Sequence, residues 1–158
     1  MATGLYLSIP DLTDEKGAAR PGTVLINSVP YVQVSDFSFG LAAGPGAAAG
    51  KLAVELNPLT VVLTAGAVTP LLLQACAGGT RFPSASLIVQ EGAVTTQKYE
   101  FKTVAVLALS VTGSAGGEQQ SLTLGYSSLQ VTCTPLNAQG QPEAPSTGGF
   151  DFTTGKIT

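Results

Sequence analysis

Residues 59–79 read LTVVLTAGAVTPLLLQACAGG, and they carry no charge; they lie within an uncharged run bounded by Glu55 and Arg81. The stretch meets the length of roughly 20 residues that a membrane-spanning helix needs. Its interior does not suit one. Gly66 and Pro70 break it, β-branched residues fill its first half, and no Lys/Arg or aromatic belt flanks either end. The alternative is a buried strand, Leu59–Leu63, running into a short helix, Thr69–Ala77. Pro70 suits the first turn of that helix, Thr69 is its expected N-cap, and Gly78-Gly79 is its stop.

The remaining composition agrees with a β-rich chain. In 158 residues there are 19 Gly and 10 Pro, spread along the length as turn punctuation rather than gathered in a linker. Apolar residues make up 44%, but charged residues only 11%, against roughly 25% in soluble domains. A polar but uncharged surface of this kind suits a protein whose faces are covered by other subunits. The net charge of −3 and seven scattered basic residues argue against a nucleic-acid partner.

Short segments follow in order. Gly4–Ile9 is an expected first strand, Asp11–Gly22 a polar surface loop, and Thr23–Ser28 and Tyr31–Phe39 strands interrupted near Pro30. In the last of these, Val32 and Val34 are apolar on even positions and Phe37 and Phe39 on odd ones, so a β-bulge is expected at Ser35-Asp36. Ala42–Lys51 is an extended Gly/Ala-rich loop between Phe39 and a strand at Leu52–Leu56. Ser84–Gln90, Lys98–Ser110 and Gln120–Cys133 are further strands. Val104–Leu109 is apolar on both phases, which predicts cover on both faces. Gln120–Cys133 changes phase near Ser127-Ser128, which predicts a second bend. Residues 135–158 form a turn-rich tail. A single domain over residues 1–158, a bent antiparallel β-barrel or sandwich with one short α-helix, accommodates this order.

Catalytic chemistry finds little support. Without any His, the commonest general base and metal ligand is missing. No G-x-S-x-G elbow occurs, and the carboxylates lie apart apart from Asp14-Glu15. GPGAAAGKL resembles a phosphate-cradling loop, but Pro45 takes the first glycine's place and Leu52 replaces the hydroxyl. Cys76 and Cys133 are expected as buried thiols of a reducing compartment. No enzyme, cofactor or metal is expected. The opening MATGLYLSIPDLTDEK lacks the layout of a secretory signal peptide, so synthesis and folding in the cytoplasm are expected.

The order of these segments resembles the haemolysin-coregulated protein (Hcp) family, the inner-tube proteins of type VI secretion systems. LYLSIP is similar to the family's first strand and YVQVSDFSFG to its second, with Phe39 where the family often has Trp. The loop closing in GAAAGKL matches in place. TPLLLQACAGG followed by RFPSASLIVQEG resembles its helix and next strand. KYEFKTVAVLALSVTGSAGG and SLTLGYSSLQVTCTPLNAQGQPEAPSTGGFDF resemble the closing strands and tail, with Phe150 at a second frequent Trp position. The resemblance implies a homo-hexameric ring that stacks into a tube. Its implied partners are a VgrG-like spike protein, a contractile sheath and small effector proteins, with secretion from the cell and no membrane insertion. It also implies that Ala43, Gly44, Pro45, Gly46, Gly50 and Lys51 reach the next ring, and that Ser38 lies near the channel wall. Two other readings stand beside it: a tail-tube protein of another phage-like contractile machine, and a monomeric barrel binding a small apolar ligand.

Overall fold

The computed structural model describes residues 3–10, 12–15, 18–19, 23–43, 54–64, 68–151 and 156–157. Strands dominate: β1 (Thr3–Ser8), β2 (Asp14–Glu15), β3 (Ala18–Ala19), β4 (Val24–Ile26), β5 (Val29–Ala43) and β6 (Val54–Thr64) precede the helix α1 (Thr69–Gly78). After it come β7 (Arg81–Glu91), β8 (Val94–Ser114), β9 (Gly117–Gly125), β10 (Ser128–Cys133), β11 (Ser146–Asp151) and β12 (Lys156–Ile157). Pairing in the order β8-β7-β1-β5-β6-β9, with β9 returning to β8, closes an antiparallel barrel, while β10, β11 and β12 extend as a flap from β8.

The decisive stretch is a strand running into a helix. Leu59, Val61 and Leu63 of β6 point into the barrel and are at most 2% exposed. Burial of one such side chain stabilises by about 1.5–3 kcal/mol. α1 places Leu72 and Ala75 inward, and Gly79 ends it with φ 63°, the left-handed conformation that glycine adopts without a Cβ clash. The cap at its start is Val68, not Thr69. Val68 is 4% exposed, so packing takes the position where a hydroxyl was expected, and the side chain makes no capping bond. Ala65, Gly66 and Ala67 lie outside the described residues.

Elsewhere several boundaries move. The break between β4 and β5 falls at Asn27-Ser28, a two-residue hairpin with φ 52° and 66°, rather than at Pro30, which lies inside β5 opposite Leu25. Within the expected polar loop Asp11–Gly22, Leu12 and Thr13 are both buried; the Thr13 hydroxyl donates to the Ile9 carbonyl at 3.0 Å. β2 and β3 then form a minor hairpin. The tail contributes β11 and β12 to the sheet, and between β10 and β11 Asn137 Oδ1 accepts the backbone N–H groups of Gln139 and Gln141, each at 2.9 Å. Among the described residues only one face of Val104–Leu109 is covered: Val104 is buried, but Leu107 is 56% exposed at a bulge between Val106 and Ala108.

Candidate assembly site

Both expected bends exist, and a further irregularity in β5 marks where the chain projects. The register between β5 and β6 slips between Val34 and Asp36. There the Ser35 hydroxyl donates to the Val62 carbonyl at 2.9 Å. After the slip Phe37 and Phe39 turn inward beside Val32 and Val34, as the phase change requires. A second slip follows between Ser38 and Gly40, opposite Asn57–Thr60. Pro58 sits within it, a position where a missing N–H costs no ladder bond. The two strands expected as Leu52–Leu56 and Leu59–Leu63 are therefore one bulged strand, β6.

Past the second slip, β5 and β6 continue together over four pairs, Gly40↔Asn57 to Ala43↔Val54. Neither has a third strand there among the described residues: β1 pairs with β5 only as far as Val34, and β9 with β6 only from Leu59. This two-stranded arm leads to the loop expected to reach a neighbouring ring. Ala43 ends β5; Gly44, Pro45, Gly46, Gly50 and Lys51 lie outside the described residues.

The reason β9 stops is visible in β8. The outer edge of this 21-residue strand is shared: β10 takes Gln97–Lys102 and β9 takes Ala105–Ser114. Thr103 stands at the changeover with φ 53°. The chain crosses from β9 to β10 at Tyr126-Ser127, where the Ser127 N–H donates to the Lys102 carbonyl at 2.8 Å. The opening between arm and flap is filled by aromatic rings. Phe39 packs edge-on against Tyr99 and Phe101, with centroids 5.1 and 5.7 Å apart. Phe101 meets Tyr126 at 4.7 Å, and the Tyr126 hydroxyl donates to the Asn57 carbonyl at 3.2 Å. Such edge contacts contribute about 0.5–1.5 kcal/mol each beyond area burial. Burial pushes the Tyr126 phenol up to about 12.

Ser38 is exposed on the opposite face of β5 from the Phe37 and Phe39 rings, and it pairs with Thr60. Carrying the register across β9 and β8 adds Thr123 and Ala108 to the same row, with Asp36, Val62, Ser121 and Ser110 in the next. Seven of these eight positions are uncharged, so the face offers hydroxyls and small side chains rather than a field. No His/Cys/Asp/Glu group able to hold a metal occurs among the described residues, and no helix among them is long and apolar enough to cross a membrane.

These features define a small closed β-barrel with a projecting arm and an open sheet flap, the form of a subunit that assembles. The family model "Type VI secretion system effector, Hcp" matches residues 20–133, and the chain belongs to that family; it is a tube protein of the type VI secretion system. Among solved structures it is similar to Hcp1 from Salmonella typhimurium, at 21% identity and TM-score 0.79 over 100% of both chains. It is likewise similar to a type VI secretion system effector from Yersinia pestis, at 12% identity and TM-score 0.73 over 93% of this chain and 98% of that one. The secreted protein Hcp3 from Pseudomonas aeruginosa gives 15% identity and TM-score 0.64 over 96% and 99%. At these identities the likeness is one of fold. No curated protein matches the sequence significantly.

Proposed function

We propose that six copies of this chain close a ring, and that rings stack through the β5–β6 arm and its loop into the inner tube of the secretion machine. A contractile sheath drives the tube, a VgrG-like spike tips it, and small effector proteins travel in its channel. The protein is made in the cytoplasm and leaves the cell with the tube. Its role is mechanical and needs no catalysis. The observation that carries this reading is the arm: four pairs of a two-stranded ribbon extending beyond the barrel, with no third strand on either outer edge among the described residues. An isolated ribbon is marginal in water, and open edges invite pairing with another chain. Contact with a neighbouring ring resolves both. Stacking through unlike faces gives an open filament rather than a closed particle. Residues 1–158 act as one tube domain, and Ser38, on the hydroxyl-rich face, contacts cargo.

Family membership favours this over a tail-tube of another contractile machine and over a monomeric ligand-binding barrel. Solution mass measurement with negative-stain imaging tests it. Ring-shaped particles of about six subunits are expected; a monomer that persists at high concentration sinks the proposal. Deleting Ala43–Ala49 tests the arm, since single rings are expected to survive while tubes disappear.

A further inference from the structure

We infer that Tyr126 is the positioning residue that fixes the direction in which the β5–β6 arm leaves the barrel. The consequence for stacking rests on the function proposed above. Ladder bonds do not set this direction by themselves. The arm departs across the second register slip, where Pro58 supplies no N–H and Gly40 brings a backbone without a Cβ. Two strands joined through such a bulge retain freedom to bend and twist.

The β6–β9 register explains why Tyr126 holds this place. Leu59 faces Leu124, so continuing the pairing by two residues would set Tyr126 against Asn57. The chain turns towards β10 instead, ending the β9 strand at Gly125. The Tyr126 side chain continues the inward phase of Leu122 and Leu124, and its hydroxyl reaches the Asn57 carbonyl. A side-chain bond thus stands where the ladder ends, on the residue next to Pro58. The ring cannot drift: it is 7% exposed and held edge-on by Phe101, which is 1% exposed. Phe39 reaches that same Phe101 from β5. Both strands of the arm are therefore referred to one buried ring at their root.

Tyr126→Phe in the full chain removes the hydroxyl and keeps the ring. Three measurements are made on it: particle mass, pelletable tube, and amide hydrogen exchange. The expected result is intact rings, exchange of arm amides at 41–43 and 54–56 faster by about two- to tenfold, the range set by one net hydrogen bond, and a loss of tube of similar size. Unchanged arm exchange overturns the inference, and so does loss of the rings themselves, which would make Tyr126 a general folding residue. Tube at the normal level also overturns it if the Ala43–Ala49 deletion forms none. If that deletion still forms tubes, the stacking role of the arm fails on its own, and the exchange result alone decides whether Tyr126 positions it.

Discussion

The two halves of the β5–β6 pair obey different physics. In the barrel half, Val34↔Leu63 lies between β1 and β9, Val61 opposite Phe37 pairs on with Leu122 of β9, and Val34, Val61 and Leu63 are almost completely buried. In the arm half, Gly40↔Asn57 to Ala43↔Val54 have only each other among the described residues. Cooperative packing secures the first half, so a local loss there is felt throughout the barrel. The second half is secured only at its root and by whatever it meets beyond. One strand pair can thus be core and connector, provided a rigid corner separates the two roles.

The harshest way to break this distinction is to remove the corner. Phe101→Ala takes away the ring that Phe39 and Tyr126 share and leaves a cavity. It is expected to cost about 3–5 kcal/mol, seen as a large fall in the urea midpoint together with loss of rings. If rings persist with an unaltered midpoint, the corner does not govern the barrel.

Alkaline titration probes the same place more gently. Burial raises the phenol of Tyr126 to about 12, and burial also raises Tyr31 and Tyr99. Below the ordinary value near 10, folded and unfolded chains hold these protons equally. Above it the unfolded chain releases them first, so stability falls as pH rises from about 10 through 12. Urea midpoints measured at successive pH values are expected to decline over that window, and less steeply in Tyr126→Phe. Equal slopes would show that Tyr126 ionises as freely when folded.

The barrel half was largely legible in the sequence. Charge-free alternation in Leu59–Leu63 and the Gly78-Gly79 stop are local signals, and so are the phase changes at Ser35-Asp36 and Ser127-Ser128, because strand side chains alternate whatever the partner. The corner was less legible. Tyr126 was visible as a third inward residue after Leu122 and Leu124, but its bond joins residues 69 apart, and no local pattern carries that separation. Thr69 misled because capping preference is weaker than burial of Val68. The gap left between Leu52–Leu56 and Leu59–Leu63 holds Pro58, which an edge position with a bulge accommodates within the single strand β6. Leu107 looked like one side of a doubly covered strand, and the bulge places it outside. The loop residues expected to touch the next ring fall almost wholly outside the described residues.

A smaller change sharpens the comparison from the barrel side. Gln120 is 1% exposed between Leu63 and Val111, and neither its amide oxygen nor its nitrogen has a hydrogen-bond partner among the described residues. An unsatisfied buried polar group costs about 1–3 kcal/mol. Gln120→Met keeps length and nearly the volume while removing the amide. It is expected to raise stability by about 1 kcal/mol and the melting temperature by roughly 2–4 °C, leaving arm exchange and tube formation unchanged. A lower melting temperature would mean that the amide is satisfied in solution.

The least disturbing change belongs to the outer face. Ser38→Gln adds length to an exposed hydroxyl position beside Thr60 without touching Phe37 or Phe39, which point the other way. Surface substitutions of this kind usually stay within about 0.5 kcal/mol, so melting temperature, rings and tubes are expected to match the parent. Cargo retention, measured by co-purification of a bound effector, is expected to fall, because the longer amide intrudes on a face otherwise built from small side chains. That retention should also vary little with salt: of the eight residues in the two rows only Asp36 is charged, and uncharged hydrogen bonds are not screened as ion pairs are. Unaltered retention in Ser38→Gln would remove Ser38 from the cargo surface. Retention that drops steeply with added salt would place the cargo on the charged outer rows of β8, where Lys98 and Glu100 pair at 3.0 Å, and not on the hydroxyl-rich face.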